Sequence, residues 1–337
     1  MSAHPLASAH DQPTERRTYD ATRLMAEHPP VLHDANKRIV FRIACPPGAV
    51  FGGALEFSRW PEMALPSHLQ RVPPGFVIQV PGFFDYAPRG GVDRLEWHLN
   101  FADPEVFGYY GGGLLAQDEL QVAEHPALGA LREALLAEGI PARTVERGRP
   151  TPVLVRGVER RVAIATDPDA AAGRPHGLYG NLFRRASPEV LVRAVTAIEP
   201  PTRSNIVAIA ALPGGSGTYR RDEIEVLLAT AFSGFRAAVV ESTDVASAEG
   251  AIIHTGYWGC GAFGGNRILM ALLQVAAASM AGMEQVVFHT GAAGGVDPLA
   301  EALETLAELV PADGIATGDL ITALVERGYE PGPGDGN

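Results

Sequence analysis

Short apolar runs alternate with segments of helical periodicity along most of the chain. Apolar or β-branched runs bounded by turn-forming residues predict strands, at 37–44, 94–102, 152–155, 161–165, 206–211, 250–253 and 285–288. Apolar residues at helical spacing predict helices, at 117–136, 222–235, 267–281, 297–309 and 317–327. We expect the first helix to divide at His125-Pro126, because proline restricts the residue before it. The alternation indicates an α/β protein with a layered sheet and helices on both faces.

The same pattern divides the chain into three parts. Residues 1–20 are rich in His, Ala, Ser, Pro and charge and lack periodicity, which predicts a disordered N-terminus. Pro-Pro and Gly-Gly pairs punctuate the region 21–90, which we interpret as an accessory region. The main domain is expected to span 91–337.

Composition excludes several classes of function. The net charge of -12 argues against direct nucleic-acid binding, which normally needs a basic surface. Cys45 and Cys260 lie too far apart in sequence to suggest a disulfide framework or a zinc site, and the scattered histidines indicate no metal. There is neither a signal-peptide core nor an apolar run long enough to span a membrane, so we expect a cytoplasmic, reducing location.

The glycine-rich loop 254–266, H-T-G-Y-W-G-C-G-A-F-G-G-N, lies between a predicted strand and a predicted helix. Such a loop presents backbone N–H groups, with the positive end of a helix behind them, to an anionic ligand. Glycines before helices often serve only a tight turn, and Phe263 is either a buried plug or a platform for a sugar or base.

The loop also contains a literal G-x-G-x-x-G, in Gly259, Gly261 and Gly264, which is typical of nucleotide-binding Rossmann folds. That fingerprint needs an acid at the end of the next strand, and here 285–288 is followed by His289. This departure argues against an NAD-dependent oxidoreductase, which is kept as an alternative.

A second glycine-rich loop, 103–116, precedes the predicted helix that begins Gln117-Asp118-Glu119. Acids in a first helical turn suit the helix dipole, which by itself explains Asp118 and Glu119. Adjacent helical residues point about 100° apart, so the two acids are poor candidates for a paired-carboxylate glycosidase site. If one is catalytic, the other is expected to bind or orient the substrate.

Together the two loops resemble the catalytic domain of the poly(ADP-ribose) glycohydrolases, a macrodomain family. That family carries T-G-N-W-G-C-G-A-F-G-G where this chain has residues 255–265. Its D-F-A-N and Q-E-E motifs, which flank a glycine triplet, correspond to 100–103 and 117–119 with the same number of residues between them. Its N-P-E-L motif corresponds to 125–128. Further similarity extends the match over roughly 95–330, with a poorly matched stretch at about 140–200.

The resemblance implies a three-layer α/β/α macrodomain-like mixed sheet and a hydrolase that needs no metal or cofactor. Glu119 would be the general acid and base, Asp118 would hold ribose hydroxyls, and Phe263 would stack on the distal ribose. The amides of 261–265 and 111–113 would cradle the diphosphate. The implied substrate-binding residues are Asn100, Phe101, Asp103, Gly111, Gly112, Gly113, Gln117, Tyr257, Gly259, Gly261, Ala262, Phe263, Gly264 and Gly265.

This sequence departs from the family pattern at several recognition positions. Without gaps, the family's glycine triplet falls on 107–109, four residues before this chain's own triplet. The acid and the amide of D-F-A-N are exchanged, giving Asn100 and Asp103, and the asparagine that contacts adenine is Tyr257. The family's tyrosine clasp lies in the poorly matched stretch, where Tyr179 is a weak candidate.

Three functions follow as hypotheses. The first is a glycohydrolase that releases ADP-ribose from poly(ADP-ribose) or ADP-ribosylated proteins, with Glu119 as acid and base. The second is an ADP-ribose-binding module without catalysis. The third is the oxidoreductase.

Overall fold

The computed structural model describes residues 12–91, 93–245, 248–291 and 295–335. Its strands are β1 (Glu15–Asp20), β2 (Ala54–Arg59), β3 (His68–Leu69), β4 (Val77–Val80), β5 (Arg94–Ala102), β6 (Val145–Glu146), β7 (Arg149–Pro150), β8 (Val153–Ile164), β9 (Val195–Ala210), β10 (Gly250–Thr255), β11 (Gln285–His289) and β12 (Ile315–Ala316). Its helices are α1 (Ala21–Glu27), α2 (Ala35–Ala44), α3 (Gln117–Glu124), α4 (Pro126–Ala137), α5 (Pro188–Ala194), α6 (Arg221–Thr243), α7 (Arg267–Ala281), α8 (Val296–Leu309) and α9 (Thr317–Glu326). A 3₁₀ helix spans Gly180–Arg185.

The main sheet has eight strands in the order β1-β2-β8-β9-β5-β10-β11-β4. The β1-β2, β2-β8 and β8-β9 pairs are antiparallel, whereas the pairs from β9 to β4 are parallel. The sheet is therefore mixed, as the family resemblance implied.

Two helical layers cover the sheet. Alternate residues of β9 point to opposite faces: Val207 and Ile209 pack into the core beneath α6, α7, α8 and α9. Ile206 and Ala208 pack into the opposite core with α1 and α4. The predicted three-layer α/β/α architecture is confirmed.

Most predicted elements lie where the sequence placed them. The prediction 267–281 coincides with α7, because Asn266 caps its first N–H groups and Gly282, at φ 82°, ends it. The predicted break at His125 separates α3 from α4. The two strands predicted at 152–155 and 161–165 are one continuous strand, β8.

The strand predicted at 37–44 is wrong, because this segment is helix α2. Asp34 caps the helix by accepting hydrogen bonds from the N–H groups of Asn36 (2.8 Å) and Lys37 (3.1 Å). Lys37, Val40 and Ala44 then fall on one buried face at helical spacing. The β-branched residues indicated a strand, but the cap and the buried face favour a helix.

The disorder predicted for 1–20 is wrong over residues 15–20, which form β1 and pair with the whole of β2. Residues 1–11 lie outside the described part of the chain. The predicted boundary near 90 remains a prediction, although strands from both sides of it share the main sheet. Among the described residues, no helix is both long and apolar enough to cross a membrane.

Candidate active site

The two loops singled out in the sequence meet at one edge of the sheet. Strands β5 and β10 are parallel neighbours, so the segments that follow them leave the sheet at the same edge. One loop, 103–116, leads to α3, and the other, 256–266, leads to α7. Between them lies a cavity of about 310 Å³.

The cavity brings most of the predicted site residues together. Its walls include Phe101, Asp103, Gln117, Asp118, Glu119, Gly259, Gly261, Ala262 and Phe263. Phe263 is half-buried at the wall rather than enclosed, so it is not the buried plug that the sequence left open. The acids and the glycine loop therefore face one shared space.

Helix α3 fixes the two acids through its first turn. Glu119 accepts a hydrogen bond from the N–H of Ala116 over 3.0 Å, which caps the helix. Asp118 accepts one from Nδ2 of Asn100 over 2.9 Å. Gln117 is held to β5, accepting from the N–H of Phe101 (2.7 Å) and donating to the carbonyl of Leu99 (3.0 Å).

Burial changes the acid–base properties of both carboxyls. Burial, and then the charge of Glu119, raises the pKa of Asp118 to about 8. Burial also raises the pKa of Glu119, while the nearby Lys37 ammonium opposes that shift. A carboxyl whose pKa is raised retains its proton closer to neutral pH, as a general acid requires.

The glycine-rich loop after β10 is held by its own backbone. Nε1 of Trp258 donates to the carbonyl of Ile209 over 3.0 Å, and the N–H of Gly265 donates to the carbonyl of Gly259 over 2.8 Å. Gly259 has φ 74°, a conformation that glycine adopts readily. This fold exposes Gly261, Ala262 and Phe263 to the cavity.

Gly264 and Gly265, predicted to help cradle a diphosphate, are absent from the walls of the cavity. A chain segment near the described C-terminal end covers Gly264, where an added Cβ would lie 2.4 Å from the carbonyl oxygen of Gly332. The same segment places Asp335 in a neighbouring cavity, beside Gly261.

The structure does not bring Gly111, Gly112 and Gly113 into the cavity that holds Glu119. The carbonyl of Gly111 accepts hydrogen bonds from the N–H groups of His33 (2.9 Å) and Asp34 (3.0 Å). A Cβ on Gly111 would lie 2.3 Å from the carbonyl oxygen of Val31. Gly111 therefore allows close approach of the 31–34 backbone, which sequence reasoning could not detect.

In the gapless correspondence the family's triplet falls on 107–109, and of these three residues only Phe107 has a positive φ. Phe107 has φ 54°, which a bulky residue rarely adopts. Its side chain is fully buried. A glycine would adopt this conformation without strain.

A second cavity of about 450 Å³ adjoins the first and shares Phe101, Gln117, Tyr179 and Gly261 with it. Tyr257 lies in its wall, donates a hydrogen bond to the carbonyl of Gly295 and has the Arg267 guanidinium 5.2 Å from its ring centre. Tyr257, at which the sequence departs from the family pattern, thus faces the cleft that the two cavities form.

Tyr179, only a weak candidate from the sequence, lies at the junction of the two cavities. Its hydroxyl accepts a hydrogen bond from the N–H of Gln117 over 3.1 Å. Its ring stacks on Phe83 with centroids 5.8 Å apart. Sequence reasoning missed Phe83, and the Phe83-Phe84 pair after an apolar strand was the available signal.

Sequence reasoning also missed Lys37, whose ammonium lies behind the two acids. Within the described ranges, no group of three or more His, Cys, Asp or Glu side chains could hold a metal ion.

Comparison with known proteins gives one family and several structures. The family model for poly(ADP-ribose) glycohydrolase, macro domain fold, matches residues 179–294, a segment that holds the glycine loop but not the acids of α3. No curated protein sequence gives a match.

Similar solved structures include bacterial poly(ADP-ribose) glycohydrolases. That of Thermomonospora curvata is 16% identical with a TM-score of 0.45, over 85% of this chain and 98% of that one. A Deinococcus radiodurans T267R mutant in complex with ADP-ribose is 14% identical with a TM-score of 0.40, over 87% of this chain and 94% of that one. Over residues 179–294, the family match confirms the resemblance to the poly(ADP-ribose) glycohydrolases of macrodomain fold that was stated from the sequence.

Proposed function

We propose that this protein is a glycohydrolase that cleaves the ribose O-glycosidic bond of poly(ADP-ribose) or of ADP-ribosylated proteins and releases ADP-ribose. The observation that carries the proposal is the position of Glu119, a buried carboxyl of raised pKa facing the same cavity as Phe263. The family match of the segment containing Phe263 supports this substrate class.

Glu119 acts as acid and then as base. Its proton passes to the departing oxygen as the bond from that oxygen to ribose C1″ breaks, and positive charge develops on the ring. A water oxygen then bonds to C1″, and its proton returns to Glu119. The atoms balance without a metal or a redox cofactor.

The other residues bind and orient the substrate. Asp118, fixed by Asn100, receives the ribose hydroxyls. Phe263 provides an apolar face for the distal ribose, and the amides around Gly261 and Ala262 bind the diphosphate. The adjoining cavity, with Tyr257 and Tyr179, has space for the rest of the nucleotide.

An ADP-ribose-binding module without catalysis is the second candidate. It is favoured by the rearranged loop before α3, because Gly111 packs on the backbone of Val31 and does not face the cavity that holds Glu119. The oxidoreductase alternative has no support, because β11 ends in His289 without the acid that a dinucleotide site needs. A cytoplasmic location stays a proposal, in keeping with the free thiols of Cys45 and Cys260.

Two measurements test the proposal. Calorimetric titration of ADP-ribose should show binding by the wild type and at least about fivefold weaker binding by Phe263→Ala, because a stacking platform contributes about 1–3 kcal/mol. Release of ADP-ribose from poly- and mono-ADP-ribosylated protein should be lost in Glu119→Gln, while this variant still binds ADP-ribose.

The matched control is Glu301→Gln, which removes an exposed carboxylate on α8 and should retain full turnover. A wild type that binds ADP-ribose but hydrolyses neither substrate would establish the binding module instead. Absence of binding would refute both candidates.

A further inference from the structure

Lys37 is the single lysine of the chain, although lysine and arginine together number 27. Every other basic side chain of these two kinds is an arginine. Lysine is ordinarily a surface residue, but Lys37 is only 2% exposed. The one lysine therefore occupies a position where a charged side chain is costly.

Its contacts join three segments that meet at the first turn of α3. From α2, Nζ of Lys37 donates to the carbonyl of Tyr110 over 3.1 Å and to the carbonyl of Glu119 over 3.5 Å. Tyr110 belongs to the loop before α3, and Glu119 lies in the first turn of α3. The ammonium also lies 5.7 Å from the ring centre of Phe183. Lys37 thus fixes the acid-bearing turn from behind.

Three carboxyl groups act on this ammonium through their charge. Burial lowers the pKa of Lys37 to about 8, and the charges of Glu119, Asp118 and Asp34 oppose that shift. In return, Lys37 opposes the burial-induced rise in the pKa of Asp118 and of Glu119. Asp103 is the further acid that acts on both carboxyls, and Tyr179 also faces Glu119.

Arginine could not replace lysine here without changing the chemistry. A guanidinium keeps its proton at all ordinary pH values and needs space for a planar group with several donors. An ammonium is compact, and it can lose its proton when it is buried. The buried contacts of Lys37 with two carbonyl oxygens suit a compact ammonium.

We infer that Lys37 is a positioning residue for the hydrolysis, which acts through Glu119 and Asp118 by offsetting their negative charge and holding the first turn of α3. The inference rests on the proposed function, since it concerns the same two carboxyls. With the ammonium present, the three groups carry little net charge beside an anionic substrate. Without it, the two carboxyls retain their protons to higher pH.

The pH dependence of kcat/KM tests this role. In Lys37→Met the alkaline limb of the profile should move up by about one pH unit, because removing a neighbouring cation raises the pKa of Glu119. The matched control is Arg38→Met, which removes a cation of α2 whose guanidinium lies outside the cavity. Its alkaline limb should coincide with that of the wild type. A lower rate in Lys37→Met with an unmoved limb would show a merely structural role and overturn the inference.

A second measurement needs no turnover and no folded Lys37 variant. Because the chain has one lysine, protein labelled with ¹³Cε-lysine gives a single lysine side-chain signal in NMR. Its titration midpoint should lie near 8 in the wild type and should fall in Glu119→Gln, because that variant loses the carboxylate that favours the ammonium. A midpoint unchanged by Glu119→Gln would refute the coupling.

The two tests also separate this inference from the proposed function. A wild type that hydrolyses no ADP-ribosylated substrate would refute the function, whatever the lysine signal shows. If the wild type is active but the alkaline limb does not move in Lys37→Met, or the lysine midpoint does not fall in Glu119→Gln, only the role of Lys37 is refuted.

Discussion

Asn100 donates a hydrogen bond from Nδ2 to Oδ1 of Asp118 over 2.9 Å, and both side chains are buried. The exchange of acid and amide relative to the family pattern therefore gives Asp118 a neutral hydrogen-bond donor. An acid at position 100 would instead add a third carboxyl beside Asp118 and Glu119, and like charges at such distances raise one another's pKa.

The first prediction is that the stability of Asp118→Asn relative to the wild type increases as pH rises. The pKa of Asp118 is raised from 3.8 to about 8 by burial and by the Glu119 charge. Protonation of Asp118 therefore stabilises the fold fully below pH 3.8, and this contribution is lost as pH rises through about 8. An asparagine does not ionise, so the variant should lose this pH dependence.

Thermal unfolding at pH 5 and pH 8.5 tests it. The melting temperature of Asp118→Asn relative to wild type should be higher by a few degrees at the alkaline pH than at the acidic pH. Asp319→Asn, at an exposed acid of α9, should show the same difference from wild type at both values. If the difference in melting temperature between Asp118→Asn and the wild type is also the same at both pH values, the fold does not hold Asp118 protonated.

The second prediction concerns the glycine triplet. Gly111→Ala should destabilise the protein by about 1–3 kcal/mol, because the new Cβ would lie 2.3 Å from the backbone oxygen of Val31. Gly112→Ala is the matched control, since its Cβ would meet only Tyr109 O at 3.4 Å, an ordinary contact. Chemical denaturation of both variants measures the difference. If Gly112→Ala is the more damaging, the 31–34 segment does not pack on the triplet.

The sequence predicted those elements whose signals are local. Apolar spacing alone predicts the bounds of α7, and the Asn266 cap and Gly282 that set those bounds in the structure are adjacent to the helix. Helix α2 was mistaken for a strand because its β-branched residues are local, whereas the burial of Lys37, Val40 and Ala44 depends on tertiary packing.

The candidate site likewise has features that the sequence could predict and features that depend on tertiary packing. The meeting of Glu119 with Phe263 could be predicted from the family resemblance and is consistent with the cavity. The packing of Gly111 on Val31 could not be predicted, because it joins segments distant in sequence. The burial of Lys37 is also tertiary, although a single lysine in the composition was a visible signal.

The third prediction is that Asp335→Asn strengthens ADP-ribose binding. Asp335 lies in the wall of the larger cavity beside Gly261, whose amide is assigned to the diphosphate, so its carboxylate would lie near that doubly charged group. Removing one partly screened like charge should gain about 1 kcal/mol, or roughly fivefold in affinity. Calorimetry at low and high salt measures the effect, which should shrink as salt rises.

Glu330→Gln is the control, because Glu330 is an exposed acid of the same segment and lines neither cavity. It should leave the affinity within about twofold of the wild type. Equal affinities for wild type and Asp335→Asn at low salt would mean that the diphosphate binds away from Asp335.

The fourth prediction is that buried neutral His125 makes the protein sensitive to acid. Its ring nitrogens lie 2.8 Å from the carbonyl oxygen of Gln121 and 2.9 Å from the hydroxyl of Ser204. Burial lowers the pKa of His125 from 6.5 to about 3. The unfolded chain therefore binds the proton more tightly, so this contribution to stability is present above pH 6.5 and is lost as pH falls towards 3.

His125→Gln should lower stability at pH 7.5 by about 1–3 kcal/mol, because it breaks buried hydrogen bonds. It should also lose less stability than the wild type between pH 7.5 and pH 4.5, because glutamine does not ionise. Chemical denaturation at both pH values gives the two slopes, and His176→Gln, at an exposed histidine, should keep the wild-type slope. A wild-type slope in His125→Gln would place the acid sensitivity elsewhere, with His98 and His289 as the buried histidines to test next, since burial lowers the pKa of both.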